Sequence, residues 1–172
     1  DIKSKIETIK TVSPGKVQEL SHMRKAISNH MMKSINTSAH VHLMTEIDVT
    51  EIVNFVKANQ NSFYEKENFT LTYTPFILMS TIKALKNHPL VNASLINDSI
   101  HYHKHINIGL AVSIEDGLMV PTIFNCEEKN FLGLCRSVNE IANRTRLNEI
   151  TPDELGGSTF SITNFGVFGI MA

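Results

Sequence analysis

Two runs of alternating apolar residues joined by an Asp-Gly turn place the strongest constraint on how this chain folds. The first run is apolar at every second position from Ile106 to Val112, and the second extends from Leu118 to Phe124. Successive side chains on a strand point to opposite faces, so this alternation predicts two strands. Glu115-Asp116-Gly117 between them is typical of a hairpin turn. The chain is therefore expected to build a sheet.

Further strands are predicted on either side of this hairpin. Val91–Leu95 and Ser99–His103 flank Asn97-Asp98, which indicates a second hairpin without the favoured glycine. His40–Val49 and Ser158–Thr163 also alternate and are each predicted to be a strand.

Helices are predicted wherever apolar residues recur at steps of three and four. The second helix is capped by Asp48 or Thr50, and the third opens at Thr74-Pro75. Asn59–Thr72 is polar and is expected to be irregular. The predicted helices are Val17–Asn36, one that follows Val49, one from Thr74 to His88, and one from about Asn130 to Leu147. Strands and helices mix without regular alternation, which favours an α+β two-layer sandwich.

Length and composition indicate one globular domain. The chain has 172 residues, 42% hydrophobic and 19% charged, with a net charge of -1. The pI near 6.8 gives no general electrostatic case for nucleic acid, and no apolar run is long enough to predict a membrane span. Cys126 and Cys135 are expected to be reduced thiols. Residues 1–16 are expected to be a linker or extended arm, with the domain over 17–172, and Asp1 suggests a piece of a longer protein.

The eight histidines raise the question of a metal or a general base. His101, His103 and His105 could share one face of a strand and hold zinc, but no acidic or thiol ligand flanks them, and an exposed strand edge without metal is favoured. His40 and His42 share the polar face of their predicted strand. Either could be a base, although a surface or core role is the stronger interpretation.

Hydroxyl and amide side chains lie at the end of the last predicted strand. Ser161, Thr163 and Asn164 stand there beside glycine, at a position expected to be buried. Such groups on an ordered backbone are the parts needed to stabilise a developing oxyanion. Local bonds to the backbone are the more common role for a hydroxyl in this position.

Five segments, in order along nearly the whole chain, resemble the dihydrolipoamide acyltransferases, the core components of 2-oxo acid dehydrogenase complexes. Gly157-Ser-Thr-Phe-Ser-Ile-Thr-Asn-Phe-Gly166 is similar to that family's Gly-Gly-Thr-Phe-Thr-Ile-Ser/Thr-Asn-x-Gly segment. Met23–Met31 and Thr37–Thr50 resemble its first helix and the strand after it. Asn107–Val112 and Asp116–Pro121 resemble its central hairpin.

The resemblance implies a chloramphenicol-acetyltransferase-like fold and homotrimers that build larger cages. It implies acyl transfer between a lipoyl-lysine thioester and coenzyme A, without metal. The implied partners are a lipoyl domain, a decarboxylase and a dihydrolipoamide dehydrogenase, with no nucleic acid and no membrane. The implied location is the bacterial cytoplasm or a mitochondrial or other organellar matrix.

The resemblance also implies roles for individual residues. Thr163 matches the family's oxyanion donor, with Asn164 beside it as a catalytic candidate. Three residues match positions near coenzyme A: Arg24, Asp116 and Arg146. His40 matches the family's strand histidine and is expected to have a structural or channel-lining role. Asn148-Glu149-Ile150 departs from the Gly-Lys-Leu of many relatives and leaves that part of the site open.

The family's base lies in a His-x-x-x-Asp-Gly motif, and none of the eight histidines here begins one. The chain is therefore expected to end before the base and to be inactive by itself. Two alternatives stay open: a non-catalytic trimer- or cage-forming core fragment, and an acetyltransferase acting on a small molecule. Pyruvate-type or branched-chain complexes are favoured, but the quoted motifs do not select the acyl group.

Overall fold

A computed structural model describes residue 15, residues 18–115 and residues 117–165. Its contacts divide the chain into two units, residues 1–45 and residues 46–172. The predicted arm over residues 1–16 lies almost wholly outside the described residues. Within the described ranges, no helix has both the length and the apolar character needed to cross a membrane.

The first unit contains helix α1, His22–Thr37. It begins after Ser21, whose Oγ accepts a hydrogen bond from the Arg24 N–H at 3.3 Å. The helix therefore begins later than the predicted Val17–Asn36, and Val17 itself is not described. The predicted apolar stripe is real but exposed, as Ile27 and Met31 show.

The strand predicted over His40–Val49 is wrong. Residues 39–49 are neither helix nor strand, and the apolar side chains of Val41 and Leu43 are 83% and 94% exposed. Alternating apolar residues can give a strand one apolar face. A strand also needs a neighbouring strand that forms hydrogen bonds with its backbone N–H and C=O groups. No strand pairing in the described residues involves this segment.

The second unit opens with helix α2, Thr50–Glu67. Val49 occupies the cap position and its side chain makes no capping bond, so the predicted cap by Asp48 or Thr50 is wrong. The preceding residue, Asp48, still accepts a hydrogen bond from the Thr50 N–H at 2.8 Å through Oδ1. The helix continues to Asn68, which adopts a left-handed conformation with φ of 59°. The irregular segment predicted over Asn59–Thr72 is therefore wrong as far as Glu67, because Phe63 extends the inward face of the helix about two turns beyond Val56.

Helices α3, Thr74–Asn87, and α4, Phe131–Arg146, confirm the predictions closely. Pro75 lies in the first turn of α3, but the Thr74 side chain makes no capping bond because Tyr73 occupies the cap position. The Asn130 side chain caps α4 by accepting a hydrogen bond from the Gly133 N–H at 2.8 Å.

The Asn97-Asp98 hairpin is confirmed. Strands β1, Ala93–Ile96, and β2, Ser99–Tyr102, pair antiparallel. Asn97 and Asp98 have φ of 47° and 60°, as a two-residue turn of type I′ requires at both central positions. Asparagine and aspartate tolerate this conformation better than other non-glycine residues, which explains how the turn forms without glycine.

Each long alternating run divides into two short strands, although the hairpin between the runs is confirmed. The first run contains β3 and β4, and the second contains β5 and β6. Pro121 lies between β5 and β6 and has no N–H for the ladder. The bounds are β3 Ile108–Leu110, β4 Val112–Ile114, β5 Gly117–Met119, β6 Thr122–Ile123 and β7 Phe160–Ile162. β4 pairs with β5, and β3 lies between antiparallel β6 and parallel β7.

The main core lies between two helices and these strands. Leu78 of α3 and Leu134 of α4 are fully buried, and so is Ile108 of β3. Phe160 and Ile162 of β7 pack against the same cluster. A second cluster around Val56, Leu71 and Cys135 is extended by a ring contact between Phe76 and Phe131, whose centroids lie 4.6 Å apart. The α+β class is confirmed.

Candidate active site

A cleft of about 550 Å³ opens in the second unit. Its walls are residues 69–75 between α2 and α3, residues 110–113 at the junction of β3 and β4, one face of α4, and the end of β7. Most of the lining is apolar, including Leu71, Leu110 and Val138. A few polar side chains on an apolar wall are typical of small-molecule sites.

Three of the predicted site residues line this one cleft: Arg146, Thr163 and Asn164. Arg146 is the last residue of α4, and Thr163 and Asn164 follow β7 directly. The expectation of a buried strand end is wrong, because Ser161, Thr163 and Asn164 are exposed. For Thr163 and Asn164 the cleft is the reason, since it is open to solvent, so a bound molecule can reach both.

The three arginines of α4 differ in their partners. Arg136 binds both carboxylate oxygens of Glu67 at 2.7 and 3.0 Å, and Arg144 binds both oxygens of Glu154 at 2.6 and 2.7 Å. Arg146 makes no side-chain hydrogen bond or ion pair with any described residue. Among the described residues its guanidinium therefore has no partner on the wall of the cleft, and it is suited to an anionic ligand.

Asn148-Glu149-Ile150 stands after α4 in place of Gly-Lys-Leu, but the backbone of this turn has a conformation that Gly-Lys-Leu could also adopt. Asn148 adopts a left-handed conformation with φ of 56°, which asparagine and glycine accept more readily than most residues. Ile150 packs against the main core, as leucine could. Glu149 carries a negative charge where a lysine stands in that pattern, so the chemical change here is confined to one side chain.

An ion pair and hydrogen bonds to the Glu154 carboxylate hold the turn that follows Arg146. Glu154 accepts hydrogen bonds from Arg144, and also from the N–H and hydroxyl of Thr151 at 3.0 and 2.9 Å. The Arg144 bonds, followed by those from Thr151, lower the pKa of Glu154 from 4.5 to about 2. The ionised carboxylate therefore stabilises the fold above the unfolded-state pKa, and this contribution disappears as the pH falls through the folded-state value.

Replacing Glu154 by glutamine is expected to reduce stability near neutral pH and to matter progressively less in acid. The difference in unfolding free energy from the parent should shrink between about pH 5 and about pH 2, because both proteins then lack the carboxylate. Denaturant titrations over this range measure it. Glu140→Gln is the control, since Glu140 is exposed and 3.9 Å from Arg144. A pH-independent difference for Glu154→Gln would contradict the assignment.

Cys135 lines the cleft but is unsuited to nucleophilic attack. The residue is 2% exposed, and burial raises the pKa of its thiol to about 11. Because the thiolate is the reactive form, Cys135 serves the packing of the cleft wall. Both cysteines are free and buried, as predicted.

The remaining predicted site residues are Arg24, His40 and Asp116. Arg24 and His40 belong to the first unit, where His40 Nε2 lies 3.3 Å from Ser34 Oγ. Asp116 is outside the described residues. The structure therefore brings together Thr163, Asn164 and Arg146 and leaves the placement of the other three as predictions.

The three histidines considered for zinc do not converge. His101 is in β2, His103 Nε2 lies 2.8 Å from Ser94 Oγ, and His105 Nδ1 lies 2.7 Å from Glu127 Oε1. One ring nitrogen of His105 and one carboxylate oxygen each of Glu127 and Glu128 lie within 4.8 Å of one another. The second oxygen of Glu127 accepts the Ile106 N–H at 2.9 Å, so Glu127 joins His105 to the backbone beside β3.

Sequence reasoning missed several residues of the cleft, among them Tyr73 and Asn139. Asn139 could have been found, because it precedes Ala142 by three positions and Arg146 by seven on α4, and this spacing places all three on one face. Tyr73 carried no comparable signal, because its position depends on how the loop before α3 folds back.

Comparison with known proteins decides the family. The model of the 2-oxoacid dehydrogenases acyltransferase (catalytic domain) matches residues 13–172, nearly the whole chain. The chain belongs to this family. Its fold is therefore the chloramphenicol-acetyltransferase-like fold expected from the sequence.

Two relatives come from Bacillus subtilis (strain 168). The dihydrolipoyllysine-residue succinyltransferase component of its 2-oxoglutarate dehydrogenase complex is 33% identical over 91% of this chain and 37% of its own length. The dihydrolipoyllysine-residue acetyltransferase component of its acetoin cleaving system is 36% identical over 96% and 42%. This acyltransferase-family chain thus spans less than half the length of these relatives.

Two solved structures share the fold. A probable dihydrolipoamide acetyltransferase from Listeria monocytogenes 4b F2365 is 33% identical, with a TM-score of 0.87 over 92% of this chain and 68% of that one. The cubic core of a pyruvate dehydrogenase multienzyme complex is 27% identical, with a TM-score of 0.87 over 95% and 68%.

Proposed function

We propose that the protein containing this chain transfers an acyl group between a lipoyl-lysine thioester and coenzyme A within a 2-oxo acid dehydrogenase complex. The observation that carries the proposal is that the Thr163 hydroxyl and the Arg146 guanidinium, which has no partner among the described residues, line the same cleft in a chain of the acyltransferase family. The names of both Bacillus subtilis relatives support it.

Each part of the cleft has a task in this reaction. The acceptor thiol loses its proton and attacks the thioester carbonyl, whose oxygen gains negative charge. Thr163 donates a hydrogen bond to that oxyanion from the wall of the cleft, where the described residues offer its hydroxyl no side-chain or backbone acceptor. Asn164 lies next to it. The tetrahedral intermediate then collapses and releases the original thiol.

Proton removal is assigned to a histidine, as the family resemblance implies. None of the described residues that line the cleft is a histidine. His40 remains a proposed channel-lining residue, and Arg24 and Asp116 remain proposed contacts of coenzyme A.

Arg146 and the apolar wall suit the two ends of coenzyme A. The phosphate groups are anionic and match the Arg146 guanidinium, while the thiol arm is long and mostly uncharged. The residues of α4 that line the cleft run from Cys135 to Arg146, a rise of roughly 16 Å at 1.5 Å per residue. A ligand extended along this wall could contact both the cation and the strand end at Thr163.

The assembly and setting are part of the proposal. Homotrimers joined into a cage are supported by the likeness to a cubic core, and the lipoyl domain, decarboxylase and dihydrolipoamide dehydrogenase are the proposed partners. The proposed compartment is the cytoplasm or an organellar matrix. Succinyl and acetyl groups both occur in the names of the relatives, so the acyl group stays open.

The proposal is tested by acyl transfer to dihydrolipoamide by the full-length protein. Acetyl-, succinyl- and isobutyryl-coenzyme A are supplied separately, and formation of the acyl-dihydrolipoamide is measured. Transfer from at least one donor is expected, and the 172-residue chain assayed beside it is expected to be inactive. Folded full-length protein that transfers none of the three groups would instead favour a structural core role.

Replacing Arg146 by glutamine in the full-length protein is expected to raise the KM for coenzyme A roughly tenfold, with a smaller change in kcat. The reason is the loss of a charge-assisted bond to phosphate, whose strength is moderated by solvent. Arg136→Gln is the matched control, because Arg136 lies on the same helix, binds Glu67 and does not line the cleft. An unchanged KM for Arg146→Gln would contradict this role.

A further inference from the structure

The position of Thr163 depends on how β7 is registered against β3. The two strands run parallel, with Ile108 opposite Phe160 and Leu110 opposite Ile162. Phe160 and Ile162 pack against the core, so the alternation of a strand directs Ser161 and Thr163 to the other side. A slip of one residue would turn Thr163 toward the core and Ile162 toward the cleft.

The β7 strand is too short to hold this register firmly by its own ladder. It contains three residues, and beyond it the Ala111 N–H donates to the Ile162 carbonyl at 3.0 Å. Parallel pairs are slightly less stable per residue than antiparallel pairs. Groups outside the ladder must therefore contribute to placing the strand.

Asn107, immediately before β3, supplies such groups. Its side-chain Nδ2 donates to the Gly157 carbonyl at 3.1 Å, and its Oδ1 accepts from the Asn125 N–H at 3.0 Å. Its backbone N–H donates to Thr159 Oγ1 at 3.1 Å, and its carbonyl accepts from the Thr159 N–H at 2.7 Å. One residue thus joins the start of β3 to the loop that leads into β7.

The surroundings allow this loop little freedom. Buried Thr122 donates from its hydroxyl to the Gly156 carbonyl at 2.9 Å, next to the Asn107 contact with Gly157. A Cβ placed on Gly109 would lie 3.1 Å from Ser161 Oγ and 3.0 Å from Val120 Cγ1. β7 therefore lies close against β3, and a shift in register would have to break the bonds to Asn107.

We propose that Asn107 is a positioning residue for the transfer reaction: its side chain fixes the register of β7 and so holds the Thr163 hydroxyl at the cleft. This inference rests on the proposed function, in which Thr163 is the oxyanion donor. Asn107 acts through the strand and contacts no reacting atom. Removing the Asn107 side chain is expected to displace the Thr163 hydroxyl, whose contribution to the reaction rate depends on its position to within about 1 Å.

The test is a double-mutant cycle in the full-length protein. Asn107→Ala is expected to lower kcat by about 10–100-fold with little change in the KM for coenzyme A. Combined with Thr163→Val, it is expected to add little further loss, because no hydroxyl remains to be positioned. Asn107→Asp is the milder variant, since it keeps the acceptor for Asn125 and loses the donor to Gly157, and it is used in the same cycle if Asn107→Ala fails to fold.

Asn92→Ala is the matched control. Asn92 is 4% exposed, and its amide donates to the His105 carbonyl at 3.1 Å, far along the chain from β7. This variant should lose stability in thermal unfolding and keep its kcat. The positioning role is overturned if the losses from Asn107 and Thr163 multiply in the double variant, or if Asn107→Ala melts earlier but retains kcat. Thr163→Val at the parent rate would overturn the donor role itself, and the positioning role with it.

Discussion

Replacing Thr163 by valine in the full-length protein is expected to lower kcat for acyl transfer by about 10²–10³. Valine has nearly the shape of threonine and lacks the hydroxyl. The loss should appear in kcat and kcat/KM together, because the hydrogen bond forms chiefly in the transition state. Steady-state transfer from acyl-coenzyme A to dihydrolipoamide measures both constants. The KM for coenzyme A should change little, because Arg146 is untouched.

Thr163→Ser is the control for this change. Serine keeps the hydroxyl and removes only a methyl group from an exposed position, so most of the rate should remain. Equal losses in the serine and valine variants would show that shape matters and that the hydroxyl does not. A parent-like rate for Thr163→Val would remove Thr163 from the reaction.

Replacing Leu134 by alanine is expected to lower the free energy of unfolding by about 2–5 kcal/mol. Leu134 is fully buried on α4, in the core that also contains Leu78 and Ile108. The substitution removes apolar contacts and leaves a cavity that a close-packed interior fills only in part. Denaturant unfolding of the chain and its variant measures the difference.

Leu147→Ala is the matched control, because Leu147 follows the same helix and is 66% exposed. A change at such an exposed position usually lies within about 0.5 kcal/mol. If Leu134→Ala costs no more than this control, the packing between α3 and α4 is not as tight as the structure shows.

Patterns of neighbouring residues were sufficient to predict an element whose backbone hydrogen bonds and caps come from residues close to it in the sequence. Helix α4 was predicted within one residue at each end, because the Asn130 cap and the apolar spacing lie within the element itself. The β1–β2 hairpin was also predicted, since Asn97 and Asp98 can both adopt the positive φ that its turn needs.

Local signals failed where the outcome depends on distant partners. The alternation over His40–Val49 predicted a strand, yet residues 39–49 are unpaired with any described strand. The polar composition after Asn59 predicted irregular structure, whereas α2 continues because Phe63 is carried inward beside Phe69.

The sequence by itself determined the α+β class, the Thr163-Asn164 motif and the resemblance to an acyltransferase family, because composition, periodicity and motifs are properties of neighbouring residues. Only the tertiary structure decided that Thr163 and Arg146 line one cleft, that Arg146 is the arginine of α4 without a side-chain partner among the described residues, and that Asn107 holds the loop before β7. These facts depend on contacts between residues far apart in the chain, and such contacts form only when helices and strands pack to bury their apolar faces.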